Sequence, residues 1–69
     1  MFNVGDIVQI INIPQAYTQL QHKVGVIAVA VPANKNVDVA MYDVHINDEV
    51  YVFYHDELLL LETAMIGAH

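Results

Sequence analysis

The sequence predicts an all-β fold, a small antiparallel barrel of five strands. Two observations favour strands over helices. β-Branched and aromatic residues dominate the apolar positions, and they occur in short runs bounded by Gly, Pro, Asn or Asp. A third observation favours a closed sheet: hydrophobic residues make up 57% of only 69 residues. A barrel hides the edges that so apolar a sheet would otherwise expose.

The first strand is expected over 7–11, with Val8 and Ile10 facing the core because alternate residues of a strand share a face. Pro14 ends this part of the chain, since proline donates no backbone hydrogen bond and restricts the residue before it. The other strands are expected over 24–31, 37–42, 49–54 and 58–61.

The connections follow from the residues between these runs. Polar connections are expected over 15–22 and 43–48. A turn is expected over 32–36, where asparagines tolerate left-handed backbone. Within the second strand, Gly25 suits a bulge or a close approach of another backbone.

The C-terminal third admits two interpretations. In the first, His55–Glu57 forms a tight turn or one turn of 3₁₀ helix, and the leucines that follow form the last strand. In the second, Asp56 caps a C-terminal helix that reaches Ile66 and stops at Gly67. We adopt the first, with one domain: a barrel over 1–62 and a tail over 63–69.

The charge balance restricts the kinds of partner. Eight acidic residues stand against two lysines and no arginine, for a net charge of -6. Nucleic-acid binding draws much of its affinity from lysine and arginine at phosphates, so direct binding of nucleic acid is not expected. The charge suits either a basic protein partner or the plain need to keep an apolar chain in solution.

The composition also bears on location. There is no cysteine, and the longest apolar stretch, over 24–33, falls well short of the ~20 residues of a membrane helix. The N-terminal residues lack the positive charge and apolar segment of a signal peptide. We expect a cytoplasmic protein without membrane insertion.

Few residues offer catalytic or metal chemistry. Without serine or cysteine, nucleophilic triads of either kind are excluded, and the isolated glycines form no phosphate-binding loop. The histidines lack metal-site spacing, although a cluster of them would sense pH near neutrality; they are His22, His45, His55 and His69. We expect no cofactor, no metal and no enzymatic activity.

The aromatic residues are the main candidates for a functional surface. Tyr51 and Phe53 share one face of the fourth strand, and both faces of that strand are apolar. Tyrosine combines a large rigid contact area with a polar tip, as partner-binding surfaces require. The alternative is that Phe53 is core and the tyrosines line the barrel rim. The predicted partner-binding residues are Tyr17, Tyr42, His45, Asp48, Glu49 and Tyr51.

Several segments together resemble an SH3-like barrel. The likeness covers most of the chain and is carried by Gly5–Ile10, Tyr17, Val24–Ile27, Val37–Met41 and Phe53–Leu58. It is similar to the barrels of photosystem I reaction-centre subunit IV and of the ferredoxin–thioredoxin reductase variable chain. Those families are non-catalytic subunits that dock onto larger complexes. This chain lacks the basic residues that the photosystem subunit uses near ferredoxin. Lys23–Ile27 also resembles part of a KOW motif.

These considerations predict a non-catalytic protein-interaction module that docks on a larger complex and stabilises or modulates it. The alternative is a small acidic phage-type inhibitor of a host nucleic-acid-binding enzyme, with its carboxylates in a basic channel. Self-association into a homo-oligomer is a further option, because the chain is small and strongly apolar.

Overall fold

Five strands form one antiparallel sheet in the computed structural model, which describes residues 1–64. The strands are β1 (Ile7–Ile10), β2 (Val24–Val31), β3 (Met41–Ile46), β4 (Glu49–Tyr54) and β5 (Leu58–Glu62). Two 3₁₀ segments, Gln15–Leu20 and His55–Glu57, join β1 to β2 and β4 to β5. The strand order is β4-β3-β2-β1-β5. The predicted all-β class is confirmed. Neither 3₁₀ segment in the described part of the chain is long and apolar enough to cross a membrane.

The predicted bounds of the second and fourth strands are confirmed, as is the short 3₁₀ turn at His55–Glu57. The first strand ends at Ile10, and Val8 and Ile10 are fully buried as expected. The last strand runs through Glu62, so the helical alternative is wrong where the structure describes it. The rest of that alternative, at 65–67, lies outside the described residues.

The predicted third strand is wrong in its placement. β3 begins at Met41 and continues through the segment expected to be a polar connection. Asp43 and His45 alternate with the buried residues Tyr42, Val44 and Ile46. The strand can therefore contain these two polar residues, because their side chains lie on the face opposite the core. A two-residue turn at Asn47–Asp48, with Asn47 at φ 57, leads into β4 and pairs Ile46 with Glu49. The long connection therefore lies between β2 and β3, not between β3 and β4.

Asparagine chemistry shapes the start of that long connection, over 32–40. The Asn34 side-chain oxygen accepts hydrogen bonds from the N–H groups of Asn36 and Val37, at 2.8 and 2.9 Å. The short polar side chain thus replaces backbone partners in the turn. The turn predicted at 32–36 is consistent with this geometry, but the strand expected directly after it is absent from residues 37–40.

The core lies on one face of the sheet. Its fully buried members are Val8, Ile10, Ile27, Tyr42 and Val44. The same core also contains Leu20 from the first 3₁₀ segment, Ile46, Phe53 and Leu58. Contacts come from every strand, so no single hairpin buries its apolar face alone.

The connection between β4 and β5 forces the sheet to curve. These strands are the two ends of the strand order, yet only His55–Glu57 separates them. Four Cα steps span about 15 Å at most, whereas a flat sheet of five strands would hold its edges about 19 Å apart. β4 and β5 do not pair with each other within residues 1–64. The sheet is strongly curved and open, so the closed barrel stays a prediction.

A buried carboxylate ties the two ends of the described chain together. Asp6 is 3% exposed, and its side chain accepts the N–H groups of Asn3 and Ala64, each at 2.8 Å. Its backbone oxygen accepts the N–H of Ile27. One residue thus links the N-terminal turn, β2 and the segment after β5.

We expect Asp6→Ala to lower the free energy of unfolding by about 2 kcal/mol, because two partly buried N–H groups lose their acceptor. Asp6→Asn should also destabilise, since an amide offers one acceptor oxygen where the carboxylate offers two. Asp38→Asn makes the same charge change at an exposed residue and should stay within about 0.5 kcal/mol of the parent. Urea denaturation measures all three. Equal stability of Asp6→Ala and the parent would contradict the tie.

Gly25 allows β2 to approach β3 closely. An added Cβ would lie 2.6 Å from Val44 Cγ1 and 2.7 Å from the backbone oxygen of His45. The backbone oxygen cannot rotate away as a flexible side chain can. The close approach expected at this glycine is confirmed.

We expect Gly25→Ala to destabilise the fold by about 2 kcal/mol or more, because the two strands must separate to admit the methyl group. Ala28→Val adds bulk to an exposed residue of the same strand and should change the stability by less than about 0.5 kcal/mol. Thermal unfolding followed by circular dichroism compares the two variants. A neutral Gly25→Ala would show that the strands separate at little cost.

Candidate functional site

An aromatic groove of about 370 Å³ lies between the first 3₁₀ segment and β4. Its walls combine three tyrosines and one phenylalanine with aliphatic residues, one proline and one carboxylate. The lining residues are Ile13, Pro14, Tyr17, Leu20, Tyr51, Val52, Phe53, Tyr54 and Glu57. We call this feature the aromatic groove.

The first wall is set by the turn that begins at Pro14. The N–H of Tyr17 donates to the Pro14 oxygen at 2.9 Å, and Tyr17 itself has a non-helical backbone, with φ -115 and ψ 31. Leu20 is buried in the core and anchors the end of the segment. This arrangement leaves Tyr17 54% exposed at the rim of the groove.

The second wall is the outer edge of β4. Four consecutive residues, 51–54, line the groove, although alternate residues of a strand point to opposite faces. The groove therefore runs along the edge of the strand instead of lying against one face. Phe53 is buried and forms part of the floor, whereas Val52 and Tyr54 are more than half exposed. The Tyr51 and Phe53 rings lie 6.4 Å apart in a tilted arrangement.

Two carboxylates are hydrogen-bonded within this region. Glu57 Oε1 accepts the backbone N–H of Tyr54 at 2.8 Å, which holds the 3₁₀ segment against the end of β4. The Tyr51 hydroxyl donates to Glu49 Oε2. Negative charge therefore lies near both ends of β4.

The hydrogen bond to Glu49 raises the pKa of Tyr51 above its ordinary value, and desolvation and the negative charge of Glu49 act in the same direction. Ionisation of the phenol would remove the donor and place two negative charges side by side. Tyr51 therefore stays neutral, and it can offer an aromatic face with an oriented hydroxyl.

Tyr42 is not part of a docking surface, and the prediction that it binds a partner is wrong. It is fully buried in the core. Its hydroxyl accepts the N–H of Phe2 at 3.2 Å and lies 3.1 Å from His55 Nδ1. The Phe2 ring stacks on the His55 ring at 4.6 Å. The polar tip of Tyr42 thus fixes the N-terminal segment instead of facing a partner.

The other predicted binding residues fall on different parts of the surface. His45 is exposed on the outer face of β3, beside a shallow depression of about 580 Å³ that includes Val24, Val26 and Asn47. Asp48 and Glu49 are exposed at the β3–β4 turn. The polar connection predicted over 43–48 is wrong at His45, which lies within β3, whereas Asp48 lies in the turn and Glu49 begins β4 as expected.

The structure brings Tyr17 and Tyr51 together and adds Glu49 through its bond to Tyr51. Sequence reasoning missed Pro14, Val52, Tyr54 and Glu57. The sequence places Tyr54 in a strand and Glu57 in a turn, and it indicates no role in binding for either. A signal for their pairing was present in the three-residue spacing, because a Glu at that distance can accept the N–H of the residue that precedes a helical turn.

Within residues 1–64, no group of three or more His, Asp or Glu side chains is arranged to hold a metal ion. His69, one of the histidines considered above, lies outside the described residues. The groove contains no histidine or lysine among its lining residues.

Comparison with known proteins finds no protein-family model, no curated protein and no solved structure that matches this chain. The function is therefore inferred from the residues of the groove and its surroundings.

We expect Glu49→Gln to lower the pKa of Tyr51 toward its ordinary value, because the negative acceptor is lost. In the parent chain, the stabilisation from this bond is complete below the ordinary tyrosine pKa of about 10 and is lost as the pH rises through the raised value. Nuclear magnetic resonance of ring-labelled tyrosine resolves the individual titrations. Glu62→Gln, four strands away in the sheet order, should leave Tyr51 unchanged. An identical Tyr51 titration in Glu49→Gln would rule out the assigned cause.

Proposed function

We propose that this chain is a non-catalytic, cytoplasmic protein-interaction module that docks on a larger protein through the aromatic groove. The observation that carries the proposal is the pairing of Tyr17 with Tyr51 on one groove, although the two lie in distant parts of the chain. Tyr17 is exposed, and Tyr51 is half-buried beside the apolar floor. Tyrosines in such a setting supply the rigid anchors from which protein partners gain most of their affinity.

The chemistry of the groove supports a binding role over catalysis. Its ionisable side chains are three tyrosines and Glu57, and Glu57 is engaged by the Tyr54 backbone. A general acid–base pair needs two groups that flank one substrate, and a nucleophile needs an adjacent base. The resemblance to SH3-like barrels, whose named families are docking subunits, points in the same direction and suits the strongly curved sheet.

The charge supports a basic docking surface on the partner. Glu49 and Glu57 stand near the two ends of β4, and the chain has a net charge of -6. Opposite charges on the two surfaces accelerate encounter and select against acidic partners.

We expect the double variant Tyr17→Ala, Tyr51→Ala to lower partner capture from native extract at least about tenfold, since each tyrosine anchor contributes on the order of 1–2 kcal/mol. Leu59→Ala is a matched control, because Leu59 is similarly exposed but lies on β5. Quantitative mass spectrometry compares the captured proteins, and circular dichroism verifies the fold. Equal capture by the double variant and Leu59→Ala would refute the groove as the docking site.

The acidic composition favours a second candidate, an inhibitor that occupies the basic channel of a nucleic-acid-binding enzyme. In that case a short DNA duplex should displace the chain from its captured partner, because both compete for the same cations. Capture that a duplex leaves unchanged would exclude this candidate and leave the first in place.

A further inference from the structure

Within residues 1–64, the outer edge of β4 presents backbone groups that no neighbouring strand uses. In an antiparallel pair, alternate residues bond to the adjacent strand and the others face away. The His55 N–H donates to the Ala40 oxygen at 3.2 Å, which extends the β3–β4 ladder by one pair beyond its last registered residues. Every second residue before His55 follows the same pattern. The N–H and C=O groups of residues 53, 51 and 49 therefore face β3, and those of residues 54, 52 and 50 face outward.

An independent hydrogen bond supports this assignment of inward-facing and outward-facing backbone groups. The Tyr54 N–H donates to Glu57 Oε1 at 2.8 Å and so does not face β3. With that group occupied, the N–H and C=O groups of Val50 and Val52 remain on the open edge of the described sheet. Both valines are exposed, at 52% and 62%, so solvent reaches this stretch of strand.

The edge of β4 lacks most of the devices that prevent strand addition. Natural edge strands carry lysine, proline, bulges or a covering segment. β4 contains neither lysine nor proline, and its six pairs with β3 continue without a register shift. The opposite edge strand, β5, has a register shift against β1 between Ile7 and Val8. Of the two edges, β4 is the better template for another strand.

We propose that an extended, basic segment of a protein partner adds to β4 as a sixth strand and places alternate side chains in the aromatic groove. This inference rests on the proposed function, because it specifies how the partner engages the same groove. Strand addition gains affinity from main-chain hydrogen bonds and specificity from pockets for alternate side chains. The groove follows the edge of β4, so the two kinds of contact are available to one segment.

The negative charge at both ends of the β4 edge favours a basic segment over a second copy of this chain. Asp48 and Glu49 lie at one end of the edge, and Asp56 and Glu57 lie at the other. A second copy of this chain, paired antiparallel through Val50 and Val52, would place Asp48 opposite Tyr54 of the other copy. The carboxylate of Glu57 already occupies that position, so like charges would meet at both ends. A lysine-bearing segment meets opposite charges there instead.

The test uses a terminally blocked hexapeptide of alternating lysine and valine with a fluorescent label, and measures its Kd for the full chain by anisotropy. Two N-methylated forms of the peptide are compared, one modified at the odd residues and one at the even residues. Only one set of N–H groups can face β4. We expect one form to lose at least about tenfold in affinity and the other to bind like the parent peptide.

Variants of the chain test the same bonds from the other side. Val52→Pro removes the outward N–H and leaves the β3–β4 ladder intact, because proline is tolerated where the N–H of an edge strand faces solvent. We expect at least about tenfold weaker binding. Val52→Thr keeps the N–H and the branched side chain, and it should bind at least about tenfold more tightly than Val52→Pro. If Val52→Pro fails to fold, the N-methylated peptides still decide the outcome.

Three results would overturn the added strand: no binding of the parent peptide at millimolar concentration, equal binding of both N-methylated forms, or unchanged affinity of folded Val52→Pro. Tyr17→Ala separates this failure from failure of the groove. Binding that depends on Tyr17 but not on the Val52 N–H would refute the added strand and keep the groove as the docking site.

Discussion

The three residues between β4 and β5 are the constraint on which the rest of the structure depends. Because the chain must pass from one edge of the sheet to the other in so short a distance, the sheet has to curve around its own apolar face. That curvature lets a core of nine buried hydrophobic side chains form within residues 1–64. Within the same short turn, the Glu57 carboxylate reaches the N–H of Tyr54, three residues earlier.

Most of the fold could be predicted because the residue types within short segments indicate strands and turns. Val24–Val31 and Glu49–Tyr54 are rich in strand-forming residues and bounded by turn residues, and both occur as expected. The predicted position of β3 is wrong because Asp43 and His45 resemble loop residues when polarity alone is considered. Their alternation with Tyr42, Val44 and Ile46 is the stronger signal. Because residue polarity is weighted above alternation in this segment, the prediction also places the long connection after the third strand instead of before it.

The candidate site could be predicted only in part, because it joins distant segments. Tyrosine chemistry identified Tyr17 and Tyr51 without showing that they share a groove. The same reasoning failed for Tyr42, whose burial depends on Phe2 and His55 folding over it from remote positions. The roles of Val52 and Glu57 depend on which side of β4 is open. That property belongs to the strand order and not to any local pattern.

The hydrogen bond from Tyr54 to Glu57 also bears on aggregation. An exposed, apolar edge strand is a template on which further strands can stack without limit. By occupying the last N–H of β4, Glu57 shortens the open template to two residues and adds a negative charge at its end. So short an edge can hold one incoming segment but offers little to a growing fibril. Glu57 therefore acts as a gatekeeper residue, of the kind that natural sequences place beside hydrophobic strands they cannot dispense with.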